Sequence, residues 1–145
     1  MRAVNQATID LVKQFEGCKL TAYRCPAGIL TIGYGSTKDV IEGMEITPRE
    51  AELRLVADLR DAAHAVEAAV TVELTDNRFG ALVSFAYNIG GGAFKKSTLL
   101  RKLNAGDYSA VPGELAKWCR GGGKVLAGLE ARRKAEGELF NRAQA

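Results

Sequence analysis

The chain has few residues of the kinds that build disulfide scaffolds, metal sites or membrane spans. It contains three cysteines, an odd number that leaves at least one thiol free and argues against a disulfide scaffold. One histidine and three scattered cysteines do not predict a zinc site, so we expect no metal and no other cofactor. No apolar run approaches the roughly 18 residues that span a bilayer. No signal segment is visible at the start of the sequence.

The remaining composition is that of a folded protein with a modest charge. Of the 145 residues 47% are apolar, which is enough to bury a core within one domain, residues 1–145. Lys and Arg number 20 and Asp and Glu 17, a net charge of +3. This excess is too small to predict nucleic acid as a partner, although it suits a polyanionic substrate.

Helical and strand-like segments divide the chain into lobes. Apolar spacing predicts a first helix over residues 5–16, and two short strands around a Pro-Ala-Gly turn predict a hairpin over residues 20–34. Thr47, Pro48 and Glu50 mark the start of a long helix with a capping box. The sequence therefore predicts a mostly helical α+β fold, with a β-rich lobe at about 18–46 and a connecting helix at about 48–69. A helical lobe at about 70–145 would pack with the first helix.

Glycine runs punctuate the helical lobe. The run at residues 90–92 predicts the end of a helix that begins near Asp76, and the run at 121–123 predicts a loop. That loop separates a helix over about 110–119 from a last helix over about 127–140. Phe79 and Trp118 lie on apolar faces, so they are predicted to be core residues rather than sugar platforms.

Three residues near the start of the chain form a candidate catalytic group. Glu16 ends the first helix, where the partial negative charge of the helix terminus disfavours the ionised carboxylate, as a general acid requires. Cys25 lies at the hairpin turn and Thr31 on the returning strand, so the hairpin brings them together. Arg24, if directed the same way, would lower the pKa of the Cys25 thiol. Taken singly, each also fits an ordinary role: a solvated glutamate, a small turn residue and a strand former.

The segment is more specific when it is taken as a whole. It resembles the signature of the bacteriophage-type lysozymes, glycoside hydrolase family 24, through Phe15-Glu16-Gly17-Cys18-Lys19-Leu20-Thr21-Ala22-Tyr23-Arg24, Pro26-x-Gly28 and Thr31-Ile32-Gly33-Tyr34-Gly35. Later segments resemble the family in the same order: Ser84-Phe85-Ala86-Tyr87-Asn88-Ile89-Gly90, residues 97–108, Trp118, Gly122-Gly123-Lys124 and Arg132-Arg133-x-x-Glu136. The resemblance covers nearly the whole chain and implies a lysozyme-like fold.

The resemblance also implies an activity and a set of roles. It implies hydrolysis of the β-1,4 bond between N-acetylmuramic acid and N-acetylglucosamine in peptidoglycan, with Glu16 as general acid. The family's catalytic triad is Glu, Asp and Thr at the spacing of positions 16, 25 and 31. Cys25 therefore stands where most members have Asp, and Thr31 would position water. A Cys25 thiolate would orient water, stabilise the transition state or attack the sugar; we favour the first two.

Substrate contacts follow from the same resemblance. For Tyr34, packing within the hairpin is as good an interpretation as a contact with substrate. For Asn88, a cap at the end of its helix is equally good. Arg132 or Arg133 would lie close to Glu16 or face solvent. Position 36 is Ser where many members have His, which removes an imidazole from the cleft edge. The candidate contacts are Tyr34, Ser36, Asn88, Arg132 and Arg133.

The implied setting is lysis of a bacterial host by a monomeric endolysin. It would be made in the cytoplasm and act on the wall in the periplasm, reached through a pore formed by a holin-type partner. Three alternatives stay open: a peptidoglycan-binding relative disabled by the missing Asp, a transglycosylase that forms a 1,6-anhydro sugar, and a helical interaction protein. The last would show no dependence of any activity on Glu16.

Overall fold

The computed structural model describes residues 2–142. The elements follow the chain in the order α1 (Gln6–Glu16), β1 (Lys19–Arg24), β2 (Leu30–Gly33), α2 (Pro48–Ala69), α3 (Asp76–Ile89), α4 (Gly91–Lys96), α5 (Thr98–Asn104), a 3-10 turn (Tyr108–Ala110), α6 (Val111–Ala116), β3 (Arg120–Gly121), β4 (Lys124–Val125) and α7 (Ala127–Asn141). The mostly helical α+β fold is confirmed. No helix within residues 2–142 is long and apolar enough to cross a membrane.

The first three helices begin at side-chain caps, which explains where they start. Asn5 caps α1: its side chain accepts a hydrogen bond from the backbone N–H of Thr8, in the first turn of the helix. Thr47 and Glu50 form the predicted reciprocal capping box at the start of α2, and Thr75 caps α3. Each such cap stabilises its helix by about 1 kcal/mol, because it satisfies backbone N–H groups that have no partner within the helix.

The hairpin of β1 and β2 sets the spacing of the candidate residues. The strands are antiparallel, with Tyr23 opposite Thr31. Beyond them the backbone N–H of Cys25 donates to the carbonyl of Ile29 at 3.0 Å, closing a tight turn. Gly28 adopts a φ of +80° in that turn, a conformation that favours glycine. Cys25 therefore lies at the tip of the hairpin and Thr31 two residues beyond its turn.

A small apolar cluster fixes the hairpin on the start of α2. Isolated bridges join Thr21 to Glu45 and Ile32 to Ser36, so the loop after β2 folds back onto the sheet. Beneath it the buried side chains are Ile32, Ile46 and Ala51. This cluster is small, and the first strand is exposed along most of its length.

The main core lies among the helices and is centred on α3. Every residue of α3 from 79 to 86 is buried. The aromatic rings of Phe79, Phe85 and Phe94 are fully buried, each worth about 1.5–3 kcal/mol in transfer free energy. Helix α1 crosses α3 so closely that a Cβ on Gly80 would lie 1.8 Å from the Thr8 hydroxyl. A side chain at position 80 would therefore force the two helices apart.

The glycine run at 90–92 ends α3 as predicted: Gly90, with a φ of +95°, directly follows Ile89, and α4 begins at once at Gly91. The predicted helix over 110–119 ends at Ala116, and the run at 121–123 is the turn between β3 and β4. Trp118 was predicted to be a core residue and is 36% exposed, with its edge against Phe85.

Candidate active site

Glu16 lies at the end of α1 and faces the hairpin lobe. Gly17, with a φ of +69°, ends the helix directly after it. The Glu16 side chain is 21% exposed, and its Oε1 lies 3.0 Å from Nη1 of Arg132 on α7. Its other oxygen, Oε2, lies 4.0 Å from the position that a Cβ on Gly35 would occupy. One carboxylate thus bridges the helical lobe and the loop that follows β2.

Arg132 is held from behind by a buried network. Its guanidinium is 3% exposed, and Nε lies 3.3 Å from Oε2 of Glu136. Nη2 donates to the carbonyl and to the hydroxyl of Ser84 on α3, at 3.2 and 3.3 Å. The Ser84 hydroxyl in turn donates to the same Glu136 oxygen at 2.5 Å. The planar fork of Arg132 is therefore fixed on one side and presents Nη1 to Glu16.

Arg133 points into the protein beside this network. It donates to Glu136 Oε1, to Asn88 Oδ1 and to the Trp118 carbonyl, and its guanidinium lies 5.0 Å from the centre of the Phe85 ring. The side chain is 1% exposed. Asn88 is itself exposed at the end of α3. Asn88 is therefore open to solvent, whereas Arg133 is not. A direct contact between Arg133 and substrate stays a prediction, and the buried position of Arg133 does not favour it.

Cys25 and Thr31 are brought together at the hairpin tip. Backbone hydrogen bonds from Ile29 and then Ala27 to the sulfur lower the pKa of the Cys25 thiol, and the Thr31 hydroxyl adds to the effect. Thr31 is 4% exposed, and its hydroxyl also bonds the Ile29 carbonyl at 2.9 Å. The hairpin thus favours the thiolate through its own backbone.

Arg24 does not take the part suggested by its position beside Cys25. Its guanidinium donates to the Gly28 carbonyl at 2.9 Å and pairs with Glu42 at 3.1 Å, so its charge is directed elsewhere. No disulfide joins Cys18 to Cys25; both thiols are free, as is that of Cys119.

Tyr34 and Ser36 lie between the hairpin and α2. Tyr34 is half-buried and packs against both apolar clusters, with the Lys13 ammonium 5.7 Å from its ring centre. Ser36 is buried, and Arg54 Nη1 lies 3.4 Å from its hydroxyl. Burial raises the pKa of Asp58 on α2, and the Ser36 hydroxyl partly offsets that rise. Ser36 therefore lies among side chains of α2.

A cavity of about 520 Å³ extends from this site between the loop at 35–38, the middle of α2 and the end of α3. We call it the cleft. Its lining residues are Gly35, Thr37, Lys38, Asp58, Asp61, Ala62, Ala86, Tyr87, Gly90 and Gly91. Gly35 is next to Glu16 and also lines the cleft, so the carboxylate lies at its edge.

Sequence reasoning missed two residues of the cleft. Burial, followed by the negative charges of Glu16 and Asp58, raises the pKa of Tyr87 to about 12, so its hydroxyl remains protonated at neutral pH. Burial also raises the pKa of Asp58, which lies in the middle of α2. Tyr87 directly precedes Asn88, which is the signal that would have found it. Asp58 carried no local signal.

Within residues 2–142 no group of three or more His, Cys, Asp or Glu side chains is placed to hold a metal ion. The side chains described above offer acid–base and nucleophilic chemistry. They include a carboxylate fixed by an arginine at the edge of the cleft and, at the hairpin tip, a thiol with a lowered pKa.

Known proteins resemble this chain over nearly its whole length. The sequence model described as Phage lysozyme matches residues 13–136. An endolysin of Acyrthosiphon pisum secondary endosymbiont phage 1 is 40% identical over 144 residues, covering 97% of this chain and 99% of that protein. An endolysin of Bacillus phage B103 is 43% identical over 140 residues, 94% of this chain but 53% of that protein. The chain thus spans about half the length of the Bacillus relative.

A solved structure extends the agreement to three dimensions. The muramidase domain of SpmX from Asticaccaulis excentricus superimposes with a TM-score of 0.92 at 37% identity, covering 99% of this chain and 100% of that one. Fold and relatives together define a lysozyme-type hydrolase. More particularly, the chain belongs to the phage lysozyme family.

Proposed function

We propose that the protein is an endolysin-type muramidase. It hydrolyses the β-1,4 bond between N-acetylmuramic acid and N-acetylglucosamine in peptidoglycan, with Glu16 as the general acid. The observation that carries the proposal is the position of the Glu16 carboxylate, fixed by buried Arg132 at the edge of a cleft large enough for sugar rings. The names of its relatives, endolysin and muramidase domain, support the same substrate.

In the acid step Glu16 gives its proton to the glycosidic oxygen as the bond from that oxygen to the sugar carbon breaks. The leaving sugar departs as a neutral alcohol, and positive charge develops on the carbon and ring oxygen that remain. The carboxylate left behind is stabilised by its hydrogen bond from Arg132. The arginine therefore assists the stage of the reaction in which Glu16 is charged.

Cys25 and Thr31 supply the second group. A Cys25 thiolate orients a water molecule or takes its proton, while the Thr31 hydroxyl holds that water on the opposite face of the ring. An inverting reaction of this kind needs the two groups roughly 6.5–9.5 Å apart, to leave room for the water. The lowered pKa of the thiol supports this role, since an ordinary thiol near 8.5 is only a few per cent thiolate at pH 7.

The remaining site residues line the path of the glycan. Tyr34, Ser36 and Asn88 would contact sugar rings, and the protonated hydroxyl of Tyr87 would donate a hydrogen bond from the cleft wall. Action as a monomer, and passage to the wall through a holin-type pore, complete the proposal.

Digestion of purified peptidoglycan with analysis of the released ends tests this function. We expect the parent protein to release new reducing ends and Glu16→Gln to lose about 10²–10⁴-fold of the rate, because the amide cannot donate the proton. Glu138→Gln is the matched control, since Glu138 is exposed on α7. Products ending in a 1,6-anhydro sugar would assign a transglycosylase instead. Binding to the wall without cleavage would assign a disabled relative, and full activity in Glu16→Gln would remove Glu16 from the mechanism.

A further inference from the structure

We propose that Glu136 is a positioning residue, which fixes Arg132 and thereby holds the Glu16 carboxylate in the place from which it gives its proton. The proposal rests on the proposed function, because it assumes Glu16 as the acid. Glu136 lies on α7 one turn after Arg132, and its side chain is 0% exposed within the helical lobe. A carboxylate buried to this extent is costly unless its charge is compensated.

Both oxygens of Glu136 are fully used by groups behind the site. Oε2 accepts from the Ser84 hydroxyl at 2.5 Å and from Arg132 Nε at 3.3 Å, while Oε1 accepts from Arg133. Ser84 closes the arrangement because it bonds both Glu136 and Arg132. Removing Glu136 would thus release Arg132 on the side opposite to Glu16.

Opposite charges hold the network together. Two buried guanidinium groups, Arg132 and Arg133, contact the one carboxylate of Glu136, and Arg132 presents its remaining Nη1 to Glu16. A neutral side chain at position 136 would leave both guanidinium groups without that shared partner, so Arg132 would no longer be fixed against Glu16.

Arg132 is the cation that contacts Glu16. Its Nη1 lies 3.0 Å from Glu16 Oε1, whereas Lys13, on the same helix as Glu16, is paired with Glu52. The position of the Glu16 carboxylate therefore depends on that of Arg132.

The test is steady-state kinetics on peptidoglycan. In Glu136→Gln the turnover number should fall about tenfold with KM unchanged, because the acid is displaced from the reacting oxygen while the cleft that binds the glycan is intact. Arg132→Gln should lower the turnover number by at least as much, because Glu136 acts through Arg132. Glu136→Asp, which keeps the carboxylate, should restore most of the rate.

Two further variants keep the proposal open to refutation. Glu114→Gln is the matched control, because Glu114 is also buried between two cations, Lys102 and Lys117, but outside the site. An unchanged turnover number in Glu136→Gln, or an equal loss in Glu114→Gln, would overturn the proposal. If Glu136→Gln does not fold, Ser84→Ala removes one anchor and keeps all charges; an unchanged turnover number there would overturn it as well. Activity in Glu16→Gln would defeat the proposed function instead, whatever Glu136 does.

Discussion

The two walls of the site are built in different ways. On the helical wall Glu16 is fixed by Arg132, which is itself held by Glu136 and Ser84 in a desolvated ionic network. On the hairpin wall Cys25 is held by its own turn, through backbone hydrogen bonds to Ile29 and Ala27, and remains half-buried. One wall fixes its reactive group by long-range side-chain contacts, and the other by local backbone geometry.

This difference indicates a division of labour, which is the central claim of the account. A general acid must stay in one place while its charge changes, and a buried network of fixed dipoles and charges provides that. The second group has to admit water, and an exposed hairpin tip leaves room for it. We therefore expect the helical wall to dominate stability and the hairpin wall to affect mainly the reaction.

The largest expected effect would come from breaking the helical wall outright. Glu136→Ala leaves two buried guanidinium groups without their shared carboxylate, and removal of one partner of a buried pair typically costs about 3–5 kcal/mol. Urea unfolding followed by circular dichroism measures the change. The matched change on the hairpin wall, Cys25→Ala, should lie within about 0.5 kcal/mol of the parent. Equal losses at the two positions would contradict the comparison.

A substitution on the hairpin wall should lower the activity of the protein. Cys25→Ala removes the group that we propose activates water, so the rate on purified peptidoglycan should fall by about 10²-fold, the lower end of what a positioned acid or base contributes. Initial rates of released reducing ends measure it at pH 7. Cys18→Ala is the control, because Cys18 is exposed before the same strand. Parent-like activity in the Cys25 variant would leave the thiol without a role.

Thr31 should affect both quantities to a smaller degree. Thr31→Val keeps the shape of the side chain but removes the hydroxyl that bonds the Ile29 carbonyl and supports the sulfur. We expect a loss of about 1 kcal/mol in the free energy of unfolding, typical of one hydrogen bond. The rate should fall more than that stability loss alone explains, because the folded population stays near complete. A rate equal to the parent's would show that Thr31 acts only in the fold.

The smallest effect is expected at Glu114, a buried carboxylate that lies outside both walls of the site. Hydrogen bonds from Lys117 and Lys102 lower the pKa of Glu114 from its usual 4.5. A folded-state pKa below the unfolded value stabilises the protein above pH 4.5, and the contribution disappears as the pH falls through the folded value. Glu114→Gln should therefore lower the melting temperature at pH 7, and the difference from the parent should narrow below pH 4.5. A difference that grows in acid would contradict the ion pairing.

Local features of the sequence predicted the fold and the hairpin wall well. The capping box at Thr47 and Glu50 and the spacing from Cys25 to Thr31 depend on neighbouring residues, so pattern and turn chemistry suffice. The direction of the Arg24 side chain could not be predicted from its neighbours, because it depends on Glu42, 18 residues away.

The helical wall lay beyond such reasoning. Glu136 meets Ser84 across 52 residues of sequence, and Arg133 meets Asn88 across 45. Those contacts exist only once α7 packs on α3, and nothing in the spacing of either helix marks them as buried. Helix periodicity gave no reason to place two arginines and a glutamate in a core. The long-range half of the site therefore required the packed structure.

The pH dependence of peptidoglycan hydrolysis by the parent and by Cys25→Asp tests the division of labour most directly. A carboxyl at position 25 ionises near pH 4, several units below a thiol, while the helical wall that holds Glu16 is unchanged. We predict an active Cys25→Asp protein whose pH optimum lies well to the acid side of the parent's, with the same unfolding free energy at pH 7. Superimposable pH profiles for the two proteins would contradict it.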